Sequence, residues 1–238
     1  MEIRNKIACI TGASKGIGKE TALALAHKGA SIAISARSKD LLERTAEEAE
    51  SYGINVFSFV GDMSAEDDIK EFISGTVSQL GGLDILINNA GVGHFHPIAD
   101  FPTKAWDEIF NLNVRGLFIT TREALPHLRK AGESVVVNVA SLAGKNAFVG
   151  GGCYAASKHA VIGFSRCLML EERNNGIRVM VICPGSVATS FSDGHHDKHD
   201  SERERILRGE DVAESIVHMI RQNQRAMVSE IDIRPTNP

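Results

Sequence analysis

The 238-residue sequence predicts an α/β fold, in which a doubly wound parallel sheet of seven strands carries helices on both faces. Three observations lead to this prediction. Short apolar segments alternate with helical segments along the whole chain. Two apolar segments, VVVNVA and IRVMVICP, are continuous runs, which is typical of strands buried on both faces. A glycine-rich turn follows the first apolar segment and opens a helix.

Each element follows from its local pattern. Strands are predicted where apolar runs end in turn residues: Ile7–Ile10, Ser31–Ser35, Val56–Val60, Leu83–Ile87, Val135–Val139, Ile177–Ile182 and Met227–Ile233. Helical spacing or strong helix formers predict helices over 17–28, 39–51, 65–80, 103–130, 152–173 and 211–222. Pro102 suits the start of the 103–130 helix, and we expect Pro126 to kink or tighten its last turn. Repeated strand–helix–strand units imply right-handed crossovers and hence a parallel sheet.

Composition narrows the class of protein. Apolar residues make up 43% and charged residues 24%, and the net charge of −4 offers no basic face for a nucleic acid. The run Ile7–Ile10 is too short for a signal peptide, and no stretch approaches the ~20 apolar residues of a membrane span. The four cysteines form no C-x-x-C pair. We therefore expect a cytoplasmic protein with reduced thiols, no membrane partner and one domain over residues 1–238.

The glycine turn predicts a phosphate-binding site. It comprises Gly12, Ser14, Lys15, Gly16, Ile17 and Gly18 in the sequence TGASKGIG. Small residues let a pyrophosphate approach the backbone, and the following helix N-terminus offers free N–H groups and a positive dipole end. The spacing G-x-x-x-G-x-G differs from the commoner G-x-G-x-x-G, so an ordinary strand-to-helix turn is the alternative interpretation. The strand–turn–helix context favours a Rossmann-like, NAD(P)-binding domain.

Further motifs follow this turn in order. Asp62 follows the third strand, and Asn88-Asn89-Ala90-Gly91 follows the fourth. Asn113 lies in N-V-x-G, and Ser141 ends the fifth strand. Tyr154 and Lys158 form Y-x-x-x-K, and Pro184-Gly185 ends the sixth strand. With T-G-x-x-x-G-x-G at the start, this series resembles the short-chain dehydrogenase/reductase family over residues from about 5 to 190.

The resemblance implies roles for individual residues. The catalytic set is Asn113, Ser141, Tyr154 and Lys158. Ser141 would bind the substrate oxygen and Tyr154 would transfer its proton, while Asn113 would order a local helix distortion and a water leading to the lysine. The implied cofactor-binding residues are Gly12, Ser14, Lys15, Gly16, Ile17, Gly18, Arg37, Asp62, Asn89, Ala90, Gly91, Tyr154, Lys158, Pro184, Gly185 and Thr189. If the resemblance is set aside, the alternative interpretations are that Ser141 is a serine in a turn that ends the strand and that Asn113 is a solvent-facing asparagine in a helix.

Tyr154 and Lys158 also make chemical sense as a pair. Residues i and i+4 lie on one helical face, with their Cβ atoms ≈ 5–6 Å apart. A tyrosine normally titrates near ~10, so acid–base work at neutral pH requires its pKa to fall by about 2–3 units. We expect the desolvated lysine cation, helped by the positive charge of an oxidised nicotinamide, to supply that fall. The alternative interpretation is a surface lysine beside a half-buried tyrosine.

The end of the second strand predicts a preference for NADP(H). Folds specific for NAD place an acid about 20 residues past the glycine turn, where it binds the ribose 2′-hydroxyl. Ala36 stands at that position and does not repel a 2′-phosphate as a carboxylate would. Arg37 can donate two N–H groups to phosphate oxygens, and Lys15 adds a second cation on the same side. The alternative is that both are solvated surface charges.

The remaining predictions concern the substrate, metal binding and assembly. Residues 186–210 form a variable substrate loop that does not itself name the substrate, and we expect its His195, His196 and His199 not to bind a required metal. The resemblance implies a homotetramer in which the helices 103–130 and 152–173 pair across subunits, with small and apolar residues such as Ala160, Gly163 and Phe164 at the contact.

Two subgroups and one alternative class remain open from the sequence. The chain resembles 3-oxoacyl-(acyl-carrier-protein) reductases, but it ends SEIDIRPTNP and lacks their V-D-G-G-type motif. That ending is more similar to NADP-dependent 3-hydroxy-acid and carbonyl reductases. Both subgroups imply hydride transfer between the cofactor and a small carbonyl or alcohol substrate. The alternative is a cofactor-sensing regulator with this fold and little turnover.

Overall fold

The computed structural model describes residues 1–189, 191 and 205–236, and these contain all seven strands predicted from the sequence. The strands are β1 (Ile7–Thr11), β2 (Ser31–Ala36), β3 (Val56–Val60), β4 (Ile85–Asn88), β5 (Ser134–Val139), β6 (Ile177–Pro184) and β7 (Glu230–Ile233). The last strand begins at Glu230, not at Met227 as predicted, because only its final four residues pair with the end of β6.

The strands form one parallel sheet in the order β3-β2-β1-β4-β5-β6-β7. The chain therefore winds outward from β1 to β3, returns to β4 beside β1, and then winds outward in the other direction to β7. The carboxyl ends of β1 and β4 lie at the point where the winding reverses. Ligands of open α/β sheets bind in the crevice at this switch point.

Within the described part of the chain, seven α-helices cover the sheet. They are α1 (Gly16–His27), α2 (Lys39–Glu50), α3 (Glu66–Leu80), α4 (Thr103–Phe110), α5 (Leu117–Ala131), α6 (Gly152–Glu172) and α7 (Gly209–Arg221). One prediction needs correction: the single helix expected over 103–130 is divided by a π-helical segment, Asn111–Gly116. A side chain at Gly116 would place its Cβ 2.1 Å from the carbonyl oxygen of Met63, so glycine allows this segment to contact the loop after β3.

The core has two layers, one on each face of the sheet. Alternate residues of a strand enter different layers: Ile85 and Ile87 of β4 pack with α1, α2 and α7, whereas Leu86 packs with α3, α5 and α6. This alternation is the period of two that a strand imposes on its side chains. The strands are thus apolar on both faces, as the continuous apolar runs predicted. Among the described helices, none is long and apolar enough to cross a membrane.

Candidate active site

The glycine turn between β1 and α1 lies at the switch point of the sheet. Gly12 and Gly16 have φ angles of +69° and +57°, a region that favours glycine. A Cβ on Gly12 would lie 2.9 Å from the Cα of Ala90, and one on Gly18 would lie 2.3 Å from the carbonyl oxygen of Gly12. Among the described side chains, none caps the first turn of α1, and that turn contains no acid. Its N–H groups are therefore available to an anionic group.

Asn89 holds the glycine turn against the loop after β4. Its Nδ2 donates to the carbonyl oxygens of Thr11 and Gly12 at 2.9 and 3.0 Å. The buried hydroxyl of Thr11 accepts from the backbone N–H groups of Asn89 and Ala90, each at 3.0 Å. The side chain of Asn89 thus contacts the turn itself. Thr11 opens the TGASKGIG motif, but the sequence pattern predicts no role for it. A buried hydroxyl at the end of a strand nevertheless needs hydrogen-bond partners.

Tyr154 and Lys158 lie on the first turns of α6, and both are buried. The Nζ of Lys158 lies 5.8 Å from the centre of the Tyr154 ring and donates to the carbonyl oxygen of Val139 at 2.9 Å. Ser141 follows β5 and hydrogen-bonds the Tyr154 side chain. The predicted serine, tyrosine and lysine therefore meet in one place, at the carboxyl end of β5. A surface lysine beside a half-buried tyrosine does not describe this geometry.

The ionisation of this pair differs from the prediction. Burial raises the pKa of Tyr154 to about 12, and the hydrogen bond from Ser141 opposes that rise. Burial also lowers the pKa of Lys158 to about 8. The protein's own groups therefore do not supply the expected fall in the tyrosine pKa, because removing both side chains from water disfavours both charged forms. A phenolate at neutral pH would require a further positive charge beside the ring.

Asn113 is buried inside the π-helical segment, and its side chain joins three parts of the site. Its Oδ1 accepts from the backbone N–H of Val92 at 2.8 Å, and its Nδ2 donates to the Val92 carbonyl oxygen at 2.9 Å. The same Nδ2 donates to the hydroxyl of Ser157 at 3.1 Å. The Ser157 hydroxyl donates in turn to the carbonyl oxygen of Tyr154 at 2.7 Å. Asn113 therefore connects the loop after β4 to the first turns of α6, which a solvent-facing asparagine would not do.

Sequence reasoning missed Ser157, although it stands next to Lys158 and one turn after Tyr154. Gly91 completes this side of the site. A Cβ on Gly91 would lie 3.2 Å from the Oδ1 of Asn113 and 3.6 Å from the Nζ of Lys158. The N-N-A-G loop therefore runs directly past the lysine ammonium.

The residues predicted to contact the adenosine half of a dinucleotide lie at the other side of the switch point. Arg37 follows β2 and Lys15 precedes α1, and both are exposed. Asp62 follows β3, and its Oδ1 accepts from the backbone N–H and the hydroxyl of Ser64, each at 2.9 Å. By the strand order, β2 and β3 are separated from β5 by β1 and β4. The predicted residues thus extend across the carboxyl edge of the sheet from β3 to β6.

The segment after β6 contacts both Ser141 and the glycine turn. The carbonyl oxygen of Pro184 accepts from the Ser141 hydroxyl at 3.5 Å, and the Gly185 N–H donates to Ile233 at 2.8 Å. A Cβ on Gly16 would lie 3.0 Å from the Cγ2 of Thr189, so Thr189 contacts the turn. The substrate loop 186–210 is described only in part, and its three histidines lie outside the described residues.

A glycine turn at the switch point, together with a serine and a buried tyrosine and lysine at the end of β5, defines a dinucleotide-binding α/β oxidoreductase. The family model described as short chain dehydrogenase matches residues 6–200. The chain belongs to this family, and it is accordingly an oxidoreductase that acts on a carbonyl or CH–OH group.

Three similar proteins illustrate the range within the family. The glycine betaine reductase ATRR of Emericella nidulans is 34% identical over 98% of this chain, but the chain spans only 19% of that relative's length. A 3-oxoacyl-(acyl-carrier-protein) reductase of Staphylococcus epidermidis is 32% identical over 81% of this chain and 80% of its own. An alcohol dehydrogenase of the archaeon Thermococcus sibiricus, solved with 5-hydroxy-NADP, has 28% identity and a TM-score of 0.91 over 99% of this chain and 98% of its own.

Proposed function

We propose that this protein is an NADP(H)-dependent reductase that converts a ketone, a 3-oxoacyl compound or a 3-oxo acid to a secondary alcohol, or catalyses the reverse reaction. The observation that carries the proposal is the meeting of Ser141, Tyr154 and Lys158 at the end of β5, beside the loop that braces the glycine turn. A bound nicotinamide dinucleotide would supply the hydride.

The protein's own residues would position the substrate and move the proton. Tyr154 donates its phenolic proton to the carbonyl oxygen during reduction, and its raised pKa keeps that proton in place at neutral pH. Ser141, already bonded to Tyr154, holds the same oxygen. Lys158 binds the ribose next to the nicotinamide, and Asn113 is a positioning residue that fixes the loop facing the lysine. These assignments give Tyr154, Ser141, Lys158 and Asn113 distinct tasks.

The cofactor preference for NADP(H) rests on the end of β2. Ala36 is the last residue of the strand and offers no carboxylate to a ribose 2′-hydroxyl. Arg37, with an exposed guanidinium, follows Ala36 in the sequence. Lys15, with an exposed ammonium, immediately precedes α1 beside the same crevice. The two cations, Arg37 and Lys15, together with an alanine instead of an acid at position 36, favour a ribose 2′-phosphate over a 2′-hydroxyl. The Thermococcus sibiricus relative, solved with 5-hydroxy-NADP, supports this choice.

A homotetramer is the assembly that we propose. Gly163 lies on the exposed face of α6, and a Cβ added there would meet nothing within 4 Å. Leu170 on the same helix and Phe118 on α5 are large exposed apolar residues. A helix face that combines an open glycine with exposed apolar side chains suits close contact with a second helix. Residues 1–238 would then fold as a single domain within each subunit.

The variant Tyr154→Phe tests the assigned chemistry. It removes the phenolic proton and leaves the ring in place, so we expect kcat to fall by at least ~10³-fold while NADPH binding is retained. The matched control is Tyr52→Phe, which alters the only other tyrosine, an exposed one after α2. Steady-state rates and cofactor fluorescence titration measure the two effects. More than a tenth of wild-type activity in Tyr154→Phe would show that the tyrosine is not the general acid.

A further inference from the structure

Three phenylalanines from separate loops form a cluster beside the ring of Tyr154. Phe95 follows β4, Phe148 precedes α6, and Phe191 follows β6. The ring centres of Phe95 and Phe191 lie 5.5 and 5.8 Å from that of Tyr154, and Phe148 lies 5.7 Å from Phe95. We call these three residues the phenylalanine wall. The wall is apolar and continuous, and it borders the group that would protonate the substrate.

Two glycines make room for the phenylalanine wall. A Cβ on Gly93 would lie 2.9 Å from the Cζ of Phe95 and 3.0 Å from the Cε1 of Phe191. A Cβ on Gly151 would lie 2.2 Å from the Cζ of Phe148. Any residue larger than glycine at position 93 or 151 would therefore clash with these rings. The local sequence accommodates three bulky apolar side chains at this point.

The wall is only half covered by the described residues. Phe148 is 47% exposed and Phe191 is 43% exposed. Soluble proteins leave clustered aromatic rings open mainly where an apolar ligand or partner contacts them. Because this cluster touches the reacting group, a small-molecule substrate is the occupant that its position favours.

Among the described residues, two basic side chains that are close to the wall in sequence already contact acids. The Nε2 of His94, beside Phe95 in the sequence, lies 2.9 Å from the Oε2 of Glu108. Lys145, three residues before Phe148, is paired with Glu230 and Asp232 on β7. Each of these two basic side chains thus contacts an acid and is not offered to a substrate carboxylate. Burying an unpaired carboxylate against three phenyl rings would be costly.

We infer that the phenylalanine wall selects an uncharged ketone that carries an aryl or branched alkyl group within a few bonds of its carbonyl, in preference to a 3-oxo acid. This inference rests on the proposed function and narrows its substrate class. The carbonyl oxygen would lie at Ser141 and Tyr154, with the apolar group against Phe148 and Phe191. Specificity then comes from contact area with the rings, and a free carboxylate is disfavoured because the two described basic side chains next to the wall in sequence, His94 and Lys145, already contact acids.

Two matched pairs of ketones test the inference by kcat/KM with NADPH and with NADH. The first pair, 4-phenyl-2-butanone and 2-butanone, differs by a phenyl group, and the second, ethyl acetoacetate and acetoacetate, differs by a negative charge. We expect the phenyl ketone and the ester each to exceed its partner by at least about tenfold. Phe148→Ala and Phe191→Ala should each reduce the phenyl advantage by about tenfold. Tyr52→Ala, which removes a ring of equal exposure at 44%, should leave it unchanged.

The outcomes separate this inference from the proposed function. Turnover of acetoacetate equal to or better than that of its ester, or a phenyl advantage that survives both phenylalanine variants, would overturn the inference and leave the reductase intact. Absence of turnover of all four ketones with both cofactors would reject the proposed function and the inference with it. Because Phe148 and Phe191 are half exposed, thermal melting should confirm that both variants fold.

Discussion

Replacing Lys158 by methionine will remove a pH dependence of stability that the buried ammonium creates. Burial lowers the lysine pKa from 10.5 to about 8 in the folded protein. Between these values the unfolded chain binds a proton that the folded chain lacks, so stability from this group rises with pH. Below pH 8 both states are protonated, and the contribution is constant. Methionine fills a similar volume and does not titrate.

The size of the effect follows from the two pKa values. Each pH unit between them changes the free energy of unfolding by about 1.4 kcal/mol. From pH 8 to pH 9.5 the wild type should therefore gain about 2 kcal/mol relative to Lys158→Met. Above pH 10 the buried Tyr154, with its pKa of about 12, acts in the opposite direction in both proteins, so the comparison ends at 9.5.

Urea unfolding at pH 7, 8, 8.75 and 9.5 measures this difference, with protein concentration held constant because assembly would shift apparent stability. Loss of the hydrogen bond from the Lys158 Nζ to Val139 adds an offset that does not depend on pH. Only the slope of the difference is diagnostic. A difference that stays flat, or that falls as the pH rises, would refute the conclusion that the folded protein holds a desolvated lysine with a depressed pKa.

Three further predictions concern the cofactor, the assembly and the histidine loop. Arg37→Ala should lower kcat/KM with NADPH by roughly ten- to a hundredfold, and adding Ala36→Asp should shift the preference to NADH. An unmodified enzyme whose kcat/KM with NADH equals or exceeds that with NADPH would contradict both predictions. Light scattering should give the mass of a tetramer. Gly163→Glu should dissociate the tetramer without unfolding α6, because glutamate is a better helix former than glycine. A wild-type monomer near 25.7 kDa would exclude the assembly. Activity should survive chelation and the triple alanine change at 195, 196 and 199, and zinc-restored turnover would reverse that view.

The fold could be predicted because its signals are local and repeated. Apolar runs such as Ile177–Ile182 could only be buried strands, and their alternation with helices left a parallel sheet as the consistent arrangement. The glycine turn was recognisable because Gly12 and Gly18 occupy positions where a Cβ would strike backbone or Asn89. In each case the signal in the sequence is a run or a spacing of only a few residues. Boundaries were less certain where pairing with another strand sets them, as at Glu230.

The local sequence pattern predicted neither the π-helical segment nor the pKa values, although the family resemblance implied a helix distortion at Asn113. The break in the helix at Asn113 depends on two hydrogen bonds to Val92, 21 residues earlier in the chain. The pKa of Tyr154 depends on how fully the folded chain excludes water, which no motif records. The phenylalanine wall escaped notice because Phe95, Phe148 and Phe191 are far apart in sequence and belong to loops without periodicity. Three-dimensional neighbours determine all of these features.

Burial has the same consequence for both ionisable groups of the site, and this consequence constrains the chemistry. A tyrosine with a pKa near 12 keeps its proton at neutral pH, as a general acid for carbonyl reduction must. Alcohol oxidation needs the phenolate, which burial disfavours unless positive charge accumulates beside the ring. Lys158 supplies part of that charge, but its own pKa of about 8 makes the supply decline as the pH rises. On the proposed mechanism, these two pKa shifts favour proton donation by Tyr154, whereas the reverse reaction would need positive charge brought into the site with the ligands.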